Sequence, residues 1–539
     1  MSDRRFEKKS LLLATTVRNP ERFPAFLSNL KPFEGQIFDE HIAQKIAQNL
    51  IRTREYNPDK ALKNVKELQK YKGNKDEMTA EEALLAVNWS LENLSGHAAG
   101  GFPKKSWGGR AVEWFSFMQE LGAVRISKGA VIKFSKSGND FARVYSDNSV
   151  QDVDALLANF WLNGMIKLQQ KSPFRSGTIE NRPFVLMLDA ILRLSEKFGP
   201  NDPGLSRAEL SFLLTWDNNN TQEFIEYILE IRKVYGKQLS SDLVYELVMG
   251  DERMLKGARK RRFKKAQIVQ DIVDDWMRKS RMTGIVQLRG LGGYLDIVPE
   301  EEAAARYIVK NYSEFNYETD PDQYFESVAK FDDYIRFVES AAAIDHVNEK
   351  MNVINNFAEN LSWKELIYEL SVLNGGHNSS KHKLFKLIRD PLRLEFLCAI
   401  ALRKSFPDSL IEANYSADDE GLPKSTAIGG KPDLFVKDRI TGATIEVTLQ
   451  VSKSQAVNEI PSIARHLTKV KKRDRCDDYF TVFVAKALHP DSVLMSEFVY
   501  ARDRHLISTY GIDEFAIKMS ESSEVIDLKK IPKKTFTMN

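Results

Sequence analysis

The stretch GGKPDLFVKDRITGATIEVTLQVSKSQA, residues 429–456, constrains the chain more than any other. Pro432-Asp433 opens a short apolar run, LFVKD, a turn follows at Thr441-Gly442, and ATIEVTLQV returns as a second strand. A hairpin of this kind carries Asp433 at its mouth and Glu446 partway along the return strand. Two carboxylates presented in this way are hard oxygen donors for a divalent ion. Mg²⁺ suits them, because it takes few carboxylates and keeps water and phosphate oxygens as its remaining ligands. A metal held there would polarise a phosphoryl oxygen and help activate a water.

The flanks give this hairpin an α/β setting. Upstream, RDPLRLEFLCAIALRKSF reads as a helix with Glu395 inside an apolar stretch, where an unpaired carboxylate is costly. A salt-bridged or surface-facing Glu395 is the plainer reading. Downstream, AVNEIPSIARHLTKVKKR reads as a helix holding Glu459, Arg465 and His466, with Pro461 early in it. For His466 the plainer reading is a histidine on the helix surface. YFTVFVAKAL then reads as a strand, so the order is helix, strands, helix, strand.

The first half of the chain reads differently. Residues 1–150 contain LLLATTV, suited to a strand, and helical spacing at Ile42, Ile46 and Leu50 and at Leu84, Val87, Leu91 and Leu94. The segment Ala111 to Leu121 reads as a helix stopped by Gly122, and AVRIS and AVIKF follow as a two-stranded ribbon. The same succession recurs at residues 268–310, where IVQDIVDDWMRKS is helical and TGIVQLR and YLDIV are strand-like. A helix followed by a ribbon is the second half of a winged helix, a relative of the helix-turn-helix modules that place a helix in the DNA major groove. A spacer or protein-binding domain has the same pattern. The expected organisation is therefore a DNA-recognition subdomain over 1–150 and a helical region with a second winged-helix pattern over 151–310. A partly helical linker over 311–379 and an α/β catalytic domain over 380–539 would complete it. The fold class is multidomain α+β.

Charge is clustered along the chain. The total is +3, from 78 Lys and Arg against 75 Asp and Glu, which by itself announces no nucleic-acid partner. Yet RMLKGARKRRFKK, residues 253–265, places eight basic residues in thirteen, among them Arg259, Lys260, Arg261 and Arg262. Such a tract can neutralise several phosphates; a solvated loop is the alternative. Lys104, Lys105 and Arg110, just ahead of the first helix–ribbon pattern, are further candidates for DNA contact. The two cysteines, Cys398 and Cys476, support neither a disulfide framework nor a cysteine-based zinc site. No apolar run reaches the length of a membrane span, and the start lacks a signal-peptide cleavage pattern. A reducing, cytoplasmic setting is expected.

Pro-Asp, a spacer and Glu-x-Lys form the pattern of the PD-(D/E)XK nucleases, although here Thr448 occupies the lysine position. The chain more specifically resembles the AlwI-type restriction endonucleases, a type IIS group that includes site-specific nicking enzymes. The similar segments are LATTVRNPER, NLKPFEGQIF, PFVLMLDAIL, LSRAELSFLLTWDNNN and MTGIVQL, then Gly429 to Asp433, Glu446-Val447-Thr448, Glu459 and Arg465-His466. The resemblance implies a restriction-endonuclease-like C-terminal domain with Asp433 and Glu446 as Mg²⁺ ligands. It implies Glu395 as a further acidic member of the site, Glu459 and His466 flanking the scissile phosphate, and Arg465 as a DNA contact. It also implies double-stranded DNA as substrate and a cognate DNA methyltransferase in the same system. Cutting of both strands would take a transient homodimer or a small nuclease subunit. A strand-specific nicking enzyme, the large subunit of a heterodimer, and a DNA-binding regulator with an inactive nuclease domain stay open.

Overall fold

The computed structural model describes residues 17, 19–73, 76–94, 107–146, 153–174, 179–199, 202, 204–255, 263–315, 318–332, 346–377, 379–427, 431–451 and 455–531. The chain divides into two compact units, Met1–Gln287 with Gly293–Ala343, and Leu288–Gly292 with Ile344–Asn539. Among the described residues no helix is long and apolar enough to cross a membrane. Of the LLLATTV run all but Val17 lies outside the described residues.

The first unit is mostly helical. Ile42, Ile46 and Leu50 recur at helical spacing and are buried on the helix Glu40–Arg52, whose head is capped by Asp39 accepting the Ile42 N–H. On the helix Ala80–Asn93 Val87 is buried, whereas Leu84 is exposed. The helix expected before Gly122 spans Trp107–Glu120. Its head is held by the Glu40 carboxylate, which accepts the Gly108 N–H at 3.2 Å. Gly122 has φ +76°, and a Cβ there would meet the Ala329 backbone nitrogen at 2.6 Å, so only glycine fits. The ribbon that follows pairs Val124–Arg125 with Lys133–Phe134 and is only two residues long on each side.

The second helix–ribbon succession also forms. Its helix, Ile272–Arg281, is preceded by a π-helical turn, Gln267–Asp271. The strands Val286–Arg289 and Tyr294–Ile297 follow, and a third strand, Leu205–Ser206, joins them on the free side of Tyr294–Ile297. Two residues are too few to show a period, so nothing in the sequence announces this strand. Ser206 and Glu209 form a capping box at the head of Arg207–Thr215. Glu209 is fully buried, and its carboxylate also takes Arg232 at 2.6 Å, which reaches Asp202 at 3.2 Å.

The second unit starts ahead of the expected boundary at 380. The stretch read as linker holds α1 (His346–Asn360) and α2 (Trp363–Asn374), whose Ile354, Ala358, Leu366, Leu370 and Leu373 belong to this unit's core. Then come α3 (Asp390–Ser405), β1 (Leu410–Ala413), β2 (Leu434–Lys437), β3 (Gly442–Thr448) and α4 (Ile460–Asp474). The unit continues through β4 (Phe480–Ala485), α5 (Pro490–Asp503), β5 (Ile507–Gly511) and α6 (Ile512–Glu521). The sheet order is β5-β4-β3-β2-β1, with β3, β4 and β5 parallel and β2 antiparallel to both β1 and β3.

Alternation along the strands sorts the side chains into two layers. Leu434, Val436, Ala443, Ile445, Val482 and Val484 pack with α3 in the main core. Phe435, Phe483 and Ala485 point the other way, toward Ile460, Ile463 and Leu467 of α4. Helix α3 is buried along Leu392 to Leu402, as an apolar sequence without a polar stripe requires. Glu395 is the acidic residue inside that buried stretch.

Candidate active site

The register of the β2–β3 hairpin brings the two expected carboxylates together. Leu434 pairs with Ile445, so the next pair outward is Asp433 with Glu446. Residues directly opposite in an antiparallel pair point to the same face, here the α4 face. Asp433 is fixed by the Val447 N–H, which donates to its Oδ2 at 2.8 Å. Glu446, only 7 % exposed, is fixed through Oε1, 2.8 Å from Nδ1 of His466 on α4. His466 is itself 8 % exposed and is not a surface histidine.

Two more carboxylates border this pair. Glu395 on α3 is 4 % exposed and its Oε2 accepts the Ala427 N–H at 3.2 Å. Glu459 closes the π-helical turn before α4 and stands seven residues, two turns, ahead of His466, so both lie on one helix face.

The electrostatics are those of crowded, buried carboxylates. Burial, reinforced by Asp433, pushes Glu395 up to about 8. Burial and the neighbouring Glu446 push Asp433 up to about 7, against the pull of the Val447 N–H. Burial and Glu459 push Glu446 up to about 8. Glu459 is also raised, chiefly by burial. His466 is held below its ordinary value by burial and then by Lys469, with Asp433 opposing.

A hard divalent cation fits this donor set. Its ligands would be oxygens, and its charge would offset the repulsion that raises each carboxylate. Among the described residues no group of three or more His, Cys, Asp and Glu is disposed to hold a metal ion by itself. Thr448 takes the place of a lysine, and its hydroxyl accepts the Gln450 N–H at 3.1 Å.

The remaining expected contacts are dispersed. Arg465 is exposed and lines a groove of about 520 Å³ between α4 and α5, with Met495, Phe498, Arg502 and His505. Arg110 is half-buried on Trp107–Glu120 and paired with Glu113 at 3.0 Å. Lys104, Lys105, Arg259, Lys260, Arg261 and Arg262 lie outside the described residues. The Ala427 and Val447 N–H groups, which orient Glu395 and Asp433, are invisible in the sequence, because every residue but proline carries one.

Residues 341–501 match the family model described as AlwI restriction endonuclease. No curated protein matches the chain. Among solved structures, the small subunit of the heterodimeric restriction endonuclease R.BspD6I is similar at 20% identity and a TM-score of 0.23, over 32% of this chain and 77% of that one. Restriction endonuclease FokI is similar at 10% identity and a TM-score of 0.22, over 92% of this chain and 97% of that one. A structure of FokI bound to DNA gives the same figures. At such scores neither likeness bears on fold or function. The family match encloses all five candidate residues from Glu395 to His466, so these residues lie in a segment that is similar to AlwI restriction endonuclease.

Proposed function

We propose that the chain is a type IIS restriction endonuclease that recognises a short asymmetric duplex site and hydrolyses a phosphodiester a few nucleotides outside it. The observation that carries this reading is Asp433 just ahead of β2, held by the Val447 N–H of β3, beside Glu446 of β3, which is bonded to His466 across to α4. Asp433 and Glu446 would hold Mg²⁺, which when bound polarises the phosphoryl group and makes a bound water more acidic.

The chain's own groups do the rest. His466 is kept toward the neutral imidazole by its surroundings; in the tautomer with its proton on Nδ1 it would donate to the Glu446 carboxylate and hold a lone pair at Nε2. That nitrogen takes the proton of the attacking water as the water oxygen bonds to phosphorus. The opposite P–O bond breaks, and the leaving oxygen takes a proton from solvent. Glu459, on the same helix face, orients His466 and the water. Glu395 adds negative charge behind Asp433 and keeps the site selective for a cation. Arg465 contacts backbone phosphate.

The helix–ribbon elements of the first unit serve as the recognition modules, with the basic tract at 253–265 as an electrostatic anchor. One catalytic constellation among the described residues makes one cut per site. A second copy or a small nuclease subunit would cut the other strand.

Cleavage of supercoiled plasmid tests this reading. Mg²⁺ should yield discrete fragments whose sequenced ends share one site and one offset. Asp433→Asn should abolish cutting while a gel shift with Ca²⁺ keeps its affinity. Undiminished cutting by Asp433→Asn would sink the assignment. Relaxed circles alone would make the chain a nicking enzyme, and a gel shift without cutting by the parent chain would make it a regulator.

A further inference from the structure

Gln455 opens the π-helical turn Gln455–Glu459 that leads into α4, and it is fully buried. Its side-chain amide is saturated. Nε2 donates to the Gln450 carbonyl and to the Ala487 carbonyl, the latter at 2.8 Å. Oε1 accepts the His489 N–H at 3.1 Å and the Ser492 hydroxyl at 3.2 Å. An amide offers two donors and two acceptor positions, so all four are used.

The partners show what the side chain joins. Gln450 follows β3, the strand that carries Glu446. Ala487 and His489 lie between β4 and α5, and Ser492 is in the first turn of α5. Gln455 itself stands four residues before Glu459 and eleven before His466. One side chain thus ties the segment after β3, the β4–α5 connection and the head of the helix that faces the carboxylate pair. The π-helical turn adds reach to this dependence. Such turns are rare and keep their shape only where the surroundings impose it.

We propose that Gln455 is a positioning residue for phosphodiester hydrolysis: it sets the azimuth and height of α4, and through them the places of Glu459 and His466 against Asp433 and Glu446. It touches neither substrate nor metal. The proposal rests on the reading of those four residues as the active site. Buried groups that brace catalytic side chains hold them to within a fraction of an ångström, and their removal is typically worth about 10–100-fold in activity or metal affinity.

The test compares the full chain with Gln455→Met, which keeps the volume and loses the four bonds, and Gln455→Glu, which keeps an acceptor and loses both donors. Ser492→Ala removes one bond and serves as the mild variant. Single-turnover cleavage should slow about 10–100-fold in Gln455→Met and Gln455→Glu. The Mg²⁺ concentration for half-maximal rate should rise, and DNA affinity in Ca²⁺ should stay within about twofold. Ser492→Ala should show a smaller loss in the same direction, and it answers the question if the Gln455 variants fail to fold.

A merely structural role would lower the melting temperature and leave the rate and Mg²⁺ dependence of the folded protein, measured well below that temperature, unchanged. That result, in any of the three variants that folds, overturns the proposal. Asp433→Asn run in parallel separates the two failures. If Asp433→Asn is dead and Gln455→Met cuts normally, only the positioning role falls; if Asp433→Asn cuts normally, the active-site reading falls first.

Discussion

Asp433 is placed by three kinds of force that differ in how visible they are along the chain. Its residue type and its position before an apolar strand can be read directly. Its pairing with Glu446 follows from the register of a hairpin with a short turn, and alternation puts both on one face. The Val447 N–H that fixes its rotamer is a tertiary contact with no signature of its own. Gln455 is hidden in the sequence for the same reason, since a polar residue ahead of a helix is ordinary until four partners close on it.

The crowding at Asp433 has a measurable sign. Burial and Glu446 raise its carboxyl from 3.8 to about 7, and burial and Glu459 raise Glu446 from 4.5 to about 8. Between those limits the folded chain keeps protons that the unfolded chain has released. The unfolding free energy of the metal-free protein therefore falls as pH rises through this window. In EDTA the melting temperature should be higher near pH 5 than near pH 8. Asp433→Asn should flatten that slope and raise the melting temperature at pH 8, by roughly 2–4 °C for each kcal/mol of repulsion relieved. A wild-type profile that climbs from pH 5 to pH 8 would contradict this account.

At the level of elements, the long periodic segments are the readable ones. The helix Glu40–Arg52, the buried α3, and the succession helix, strands, helix, strand all follow from apolar spacing and from Gly and Pro punctuation. What escapes is short or irregular. Leu205–Ser206 is a strand only because Tyr294–Ile297 offers an edge. The π-helical turns before Ile272–Arg281 and before α4 break the period on which reading depends. Helices α1 and α2 read as linker because each buries a narrow stripe that makes sense only against the rest of the unit, α3 for α1 and α6 with α3 for α2.

The capping box at Ser206 shows how an end signal can hide a second duty. Glu209 caps Arg207–Thr215 and also neutralises Arg232 on Thr221–Tyr235, with side-chain exposures of 0 % and 7 %. Glu209→Ala would leave a buried guanidinium with the Asp202 carboxylate and the Gly204 carbonyl as its remaining partners. Removing one member of a buried pair is typically worth about 3–5 kcal/mol, and with Asp202 in place the lower end is expected. Urea denaturation followed by tryptophan fluorescence should show the loss; a midpoint shift equivalent to less than about 1 kcal/mol would mean that the pair is replaceable.

At the scale of the whole molecule, a total charge of +3 conceals an uneven distribution. The acidic site residues fall in the second unit, while the tract of eight basic residues at 253–265 falls in the first. A partner with regular phosphates would meet that tract regardless of base sequence. Replacing Lys260, Arg261 and Arg262 with Ala should weaken binding to cognate and random duplexes alike. It should also reduce the slope of log K against log salt by up to about 3, one for each phosphate that no longer meets a cation. An unchanged slope would make the tract structural.

If Asp433 and Glu446 hold the ion as proposed, their mutual repulsion also makes loading the site an acid–base exchange. A cation arriving at neutral pH must displace protons from carboxyls held near 7 and 8, so occupancy rises with alkalinity as well as with Mg²⁺ concentration. Acidity and scarcity of the ion then act as one brake on cutting, and a fall in either magnesium or pH has the other's effect. On the proposed reading, that coupling would make the buried carboxylates a safety catch as well as a cutting edge.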